Sequence, residues 1–124
     1  VNVVDSSAWI EYFADGPMAQ VFAPAIESEP APAVSTLSLS EVFAHMLREY
    51  GRPDALRVAA AMRRGKVVDV SSALALDAAQ LAIQHEFSMA HGIVLATARS
   101  LDAQLWTQDA AFGGIDHVCL VARR

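Results

Sequence analysis

The chain has 124 residues, 54% of them hydrophobic and 19% charged, which is enough for one compact domain over 1–124 and excludes two ordinary domains or a disordered tail. Its apolar runs fall far short of the roughly 20 residues of a membrane-spanning helix, and the start lacks a signal-peptide pattern, so a cytoplasmic protein without membrane contact is expected. A net charge of −5 excludes a broadly basic nucleic-acid-binding surface, and the single cysteine, Cys119, excludes an internal disulfide and reads as a buried small hydrophobe.

In chain order, Asn2-Val3-Val4 predicts a first strand, followed at once by Asp5-Ser6-Ser7 and an apolar helical stretch through Phe13. Asp15-Gly16-Pro17 breaks that stretch, and a second helix is expected over about 18–27. The Pro-rich segment 29–32 ends it and leads into a short strand, Ala33-Val34-Ser35. Leu39, Val42, Phe43, Met46 and Leu47 give helical periodicity to 38–50, which Gly51 terminates. Pro53 opens a further helix to about Met62, and the basic cluster Arg63-Arg64-Gly65-Lys66 precedes the clearest strand, 66–70. Helices over about 73–85 and 89–100 follow, then strands at 104–106 and 117–121. The apolar residues Val21, Phe22, Ile26, Phe43, Met46 and Leu47 exceed what a small core needs, so part of this set is expected at an interface.

Strands separated by helices predict a parallel sheet covered on both faces, an α/β sandwich with its ligands at the carboxyl ends of the strands. Three acids occupy such ends. Asp5 follows the first strand, Glu41 falls in the first turn of the helix after the second, and Asp109 comes just after the fourth. Each has an ordinary reading as a helix cap, with Ser38-Leu39-Ser40-Glu41 matching a capping box. Their common location at one end of the sheet favours a shared pocket, where mutual repulsion calls for a divalent cation. Hard oxygen donors suit Mg²⁺ or Mn²⁺.

Val3-Val4-Asp5-Ser6-Ser7-Ala8-Trp9-Ile10 resembles the opening block of PIN domains, and Thr36-Leu37-Ser38-Leu39-Ser40-Glu41-Val42 their second. Ala90-His91-Gly92-Ile93-Val94-Leu95-Ala96-Thr97-Ala98 is similar to the third block, and Leu105-Trp106-Thr107-Gln108-Asp109 to the fourth. Order and spacing match the VapC-like toxins over essentially the whole chain. The resemblance implies a three-layer α/β/α sandwich with a five-stranded parallel sheet in the order 3-2-1-4-5. It implies a metal-dependent endoribonuclease acting on RNA, a cognate antitoxin partner and a homodimer. Carried over, the acidic pocket would use Asp5, Glu41 and Asp109, with Thr107 as a polar helper.

This chain departs from that pattern twice, with His91 where the third block carries Asp, and Ala111 where the fourth often has a second acid. His91 can be a substitute metal ligand, a mark of a weakened site, or a catalytic base, and its place in a first turn after Ser88 disfavours the imidazolium. The competing functional reading is a PIN domain that holds RNA or a partner without cutting. Small-molecule phosphate-ester hydrolysis is less supported, because Ser7 stands where a haloacid-type motif needs a second Asp.

Overall fold

The computed structural model describes residues 1–123. Five short strands alternate with six helices: β1 (Asn2–Val4), α1 (Ser6–Phe13), α2 (Ala19–Ile26), β2 (Val34–Ser35), α3 (Thr36–Tyr50), α4 (Arg52–Met62), β3 (Val67–Val68), α5 (Ser72–His85), α6 (Met89–Ser100), β4 (Gln104–Thr107) and β5 (Val118–Leu120). A single 3-10 turn, Ala110–Phe112, lies between β4 and β5. No helix among the described residues is long and apolar enough to cross a membrane.

Every strand pair is parallel. β4 lies between β1 and β5, with Val3 opposite Leu105 and Trp106 opposite Cys119. β2 pairs with β3, Val34 opposite Val67. One isolated bridge, Val3 to Ala33, joins the two groups, with the Ala33 amide donating to the Asn2 carbonyl at 2.9 Å. The lateral order is thus β3-β2-β1-β4-β5, but as three strands and two meeting at a seam rather than one continuous five-stranded ladder.

Alternation along β1 divides the interior. Val3 joins a core with Leu81 of α5, Val94 and Leu95 of α6, Leu105 of β4 and Phe112 of the 3-10 turn. Val4 faces the other way, into a core with Val34 of β2 and Trp9, Phe22, Val42 and Val58 from α1 to α4. Helices therefore cover both faces, and the sandwich has its three layers. α6 lies so close to α5 that a Cβ on Gly92 would sit 2.3 Å from the Ala78 carbonyl oxygen.

Several local expectations change. α3 begins at Thr36, where the Ser35 hydroxyl accepts from the Leu37 amide at 3.1 Å, so the expected capping box at Ser38 does not form. Ser38 is buried inside the helix and Glu41 belongs to its second turn. The expected strand over 66–70 contracts to Val67–Val68, because the Val70 amide donates to Thr36 Oγ1 at 3.3 Å instead of to a neighbouring strand. Of the apolar set expected in part at an interface, Phe22, Ile26 and Met46 are core residues, whereas Val21 and Leu47 are exposed and Phe43 is half-buried. Cys119 is also half-buried. Trp9 is buried in the core and stacks on Phe13 at 5.8 Å.

Candidate active site

The cleft forms where β1 and β4 end. Asp5 leaves β1 as the N-cap of α1, its Oδ1 accepting from the Ala8 amide at 3.2 Å and from the Ser7 hydroxyl at 2.7 Å. Its Oδ2 accepts from Thr107 Oγ1 at 2.7 Å. Thr107 is wholly buried at the end of β4, and its hydroxyl oxygen in turn accepts from the Asp109 amide at 2.9 Å. The parallel register, Val4 opposite Trp106, places these two strand ends side by side. Asp5 is therefore a cap as well as a site group.

Glu41 reaches the cleft from α3, where its Oε1 accepts from the Ser6 hydroxyl at 2.6 Å. Asp109 caps the 3-10 turn through Oδ1, which accepts from the Ala111 amide at 3.0 Å. Its Oδ2 meets His91 Nε2 at 2.8 Å. His91 stands in the first turn of α6, whose N-cap Ser88 accepts from the His91 amide at 3.1 Å. Facing a carboxylate, Nε2 carries the proton, and Nδ1 is buried with no partner against the rings of Phe87 and Phe112. In this arrangement the His91 ring acts as a donor to Asp109, and neither nitrogen is presented as a free ligand.

Asp5, Glu41, His91 and Asp109, with Ser6 and Ser7, thus line one cleft of about 190 Å³. Burial raises the Asp5 pKa above the ordinary carboxylate value, and the nearby charge of Asp109 raises it further, against the opposing pull of Ser7, Thr107 and the Ala8 amide. Asp109 moves the other way. Burial pushes it up, but the Ala111 amide, the hydrogen bond and charge of His91, and Arg123 together bring it below the usual range. Two carboxylates with divergent proton affinities therefore face each other across a small space.

Among the described residues no three His, Cys, Asp or Glu groups converge closely enough to enclose a metal. Asp5 Oδ2 and Asp109 Oδ2 each accept one hydrogen bond and keep a lone pair. Such a pair fits a hard cation that takes one or two carboxylates and retains water for the rest of its shell, as Mg²⁺ commonly does. Sequence reasoning did not single out Ser6, Ser7, Phe87 or Phe112. The hydroxyls sit beside Asp5 in the opening block, which was the available signal; the aromatic packing on His91 had none.

A family profile of the PIN domain matches residues 3–118. The chain is a PIN-domain protein. Solved structures with this PIN fold include a toxin–antitoxin complex from Klebsiella pneumoniae, 21% identical, with a TM-score of 0.79 over 96% of each chain. VapC20 of Mycobacterium tuberculosis, a toxin that cleaves the sarcin–ricin loop, is 23% identical, with a TM-score of 0.72 over 94% of this chain and 92% of that one. VapBC2 of Rickettsia felis, bound to a DNA fragment from its promoter, is 13% identical, with a TM-score of 0.74 over 98% and 97%. A search of curated protein sequences finds no match. At these identities the structural likeness is one of fold.

Proposed function

We propose that this PIN domain is a metal-dependent endoribonuclease toxin that hydrolyses RNA phosphodiesters and is held in check by an antitoxin. The observation that carries the reading is that Asp5, Glu41 and Asp109 line one cleft of a PIN domain, with Asp5 and Asp109 each keeping a carboxylate lone pair there. A bound Mg²⁺ or Mn²⁺ would supply a more acidic water and stabilise charge on the phosphate. Asp5 is the first direct ligand in this scheme, because burial makes its negative charge costly and a cation offsets that cost. Thr107 and Ser7 fix the orientation of its two oxygens. Asp109 is the second ligand, with His91 holding its Oδ2 in place. Glu41, at the rim and tied to Ser6, orients water on the substrate side.

The second reading is a PIN domain with weakened or absent cleavage that binds RNA or a partner. His91 favours it, since its hydrogen bond occupies Asp109 and no fourth carboxylate is present at that corner. A cleavage assay on RNA with titrated Mg²⁺ or Mn²⁺ separates the two. The nuclease cuts in a metal-dependent way, and Asp5→Asn abolishes cutting while the circular dichroism spectrum is unchanged. Equal cleavage by Asp5→Asn, or no metal-dependent product from the natural chain at any metal concentration, removes the nuclease reading of this cleft.

A further inference from the structure

The cleft is lined by three carboxylates and by no lysine or arginine. An RNA strand brings further negative charge to it, and a divalent ion neutralises only the phosphate it touches. The phosphates on either side need cations from the chain itself. Most of those are placed elsewhere. Six of the nine basic side chains fall within residues 48–66, at the end of α3, in α4 and in the turn into β3. Two of the six are tied down, Arg57 to Asp54 and Arg64 to Glu29. Arg99 belongs to the last turn of α6, about 12 Å along the helix from His91. Arg124 lies outside the described residues, which leaves Arg123.

The sheet delivers Arg123 to the cleft. β5 runs parallel to β4 with Leu120 opposite Thr107, and the pairing continues one step further, where the Val121 amide donates to the Thr107 carbonyl at 2.8 Å. Thr107 is the residue whose hydroxyl holds Asp5, and Asp109 lies two positions beyond it. The chain therefore leaves β5 at the carboxyl ends of the strands, level with the cleft, and Arg123 follows two residues after Val121. Arg123 is exposed and makes no ion pair among the described residues. Its charge nevertheless acts on Asp109 and helps to hold that carboxyl below the usual range. Both Asp109 oxygens are already engaged, Oδ1 by the Ala111 amide and Oδ2 by His91. A guanidinium thus stands beside the acids without being bound by them.

We infer that Arg123 is a substrate-binding residue, its guanidinium holding a backbone phosphate of the RNA strand next to the one that reacts between Asp5 and Asp109. The planar fork of an arginine matches two phosphate oxygens at once, and an arginine keeps its charge at every pH of interest. A phosphate contact carries no base information, so Arg123 sets the position of the strand and not its sequence. An acidic chain without a basic surface then gains purchase on RNA at the one place where the strand must be held. The inference deepens the ribonuclease reading above and rests on it for the identity of the ligand.

The test reads RNA affinity in the full chain carrying Asp5→Asn, so that binding is measured without cleavage. The probe is a short single-stranded RNA of mixed sequence, followed by fluorescence anisotropy in Mg²⁺ at several salt concentrations. Arg123→Ala is expected to weaken binding about fivefold, as one exposed charge pair would. It should also flatten the slope of log affinity against log salt by about 0.7, the share of one phosphate on a single strand. Arg123→Lys should keep the slope and lose only part of the affinity. Arg52→Ala, beyond the end of α3 that lies away from Glu41, should change neither. In the chain with Asp5 intact, Arg123→Ala should lower kcat/KM through a higher KM. Mg²⁺ affinity of the RNA-free protein separates this contact from an indirect role: it should not fall, because Arg123 gives Asp109 no ion pair to lose. No measurable RNA binding by the parent chain, RNA affinity indifferent to Arg123, an equal loss in Arg52→Ala, or weaker Mg²⁺ binding by Arg123→Ala would each overturn the inference. Cleavage indifferent to Arg123 sinks this proposal alone. RNA binding that needs Arg123, in a chain that never cuts, leaves it standing while the nuclease reading falls.

Discussion

Thr107→Val tests the reasoning about the cleft with little change of volume. The side chain is wholly buried, and its hydroxyl both donates to Asp5 Oδ2 at 2.7 Å and accepts from the Asp109 amide at 2.9 Å. Valine fills the same space, so no cavity term enters. A hydrogen bond to a buried carboxylate contributes about 1.5–3 kcal/mol, and the partly exposed Asp109 amide adds up to about 1 kcal/mol. The metal-free protein should therefore lose about 2–4 kcal/mol of unfolding free energy at neutral pH, read from urea transitions with an unchanged m value. The loss also has a pH signature. Asp5 has a raised folded pKa, so protonation stabilises the fold, and removal of a hydrogen bond that lowers that pKa raises it further. The deficit of the variant should be full above the folded Asp5 pKa and shrink as pH falls through it. Thr107→Ser, which keeps the hydroxyl, should lose only about 0.8 kcal/mol for one methyl group. A valine deficit under about 0.5 kcal/mol, or one of equal size at every pH, would refute the account of a charge held by Thr107.

Asp5→Asn should unfold at a higher temperature than the natural chain when both are metal-free at neutral pH, and the difference should vanish on acidification, since only the natural chain gains a proton there. An unstable Asn variant would mean that burial of the carboxylate is not costly. His91→Asp should lower metal-free stability by placing a like charge beside Asp109, and should tighten Mg²⁺ binding by about tenfold in calorimetry; unchanged Mg²⁺ affinity would show that position 91 does not face the ion. Gly92→Ala should cost about 1–3 kcal/mol despite alanine's better helix propensity, because its Cβ would meet the Ala78 carbonyl at 2.3 Å and force α6 off α5. A gain in its melting temperature would contradict that packing.

Element order and the two-faced sandwich were legible because β-branched runs and 3.6-residue periodicity alternate cleanly along the chain. Asp5 and Asp109 were placeable because each lies within two residues of a strand end. Helix starts were less so. Ser35, Ser38 and Ser40 all have cap chemistry, and of the three the Ser35 hydroxyl is the one that accepts from a first-turn amide, that of Leu37. The strand at 66–70 was overread since a run of valines cannot reveal that Thr36, thirty-four residues away, takes the Val70 amide. The same limit explains His91. Its alternatives stayed open in the sequence because the Asp109 bond and the Phe87 and Phe112 packing join segments whose approach no local pattern encodes.

The single bridge between Val3 and Ala33 divides the cleft mechanically. Asp5, Thr107 and Asp109 ride on a fully laddered pair of strands, while Glu41 belongs to the helix issuing from β2, across the weak join. Opening of that join would carry Glu41 away from a fixed Asp5 without disturbing the other carboxylate. The cleft thus has one stiff jaw and one compliant jaw, and slow amide exchange at Asp5, which donates to the Trp106 carbonyl, beside fast exchange at Ala33, which donates to Asn2, would register the difference.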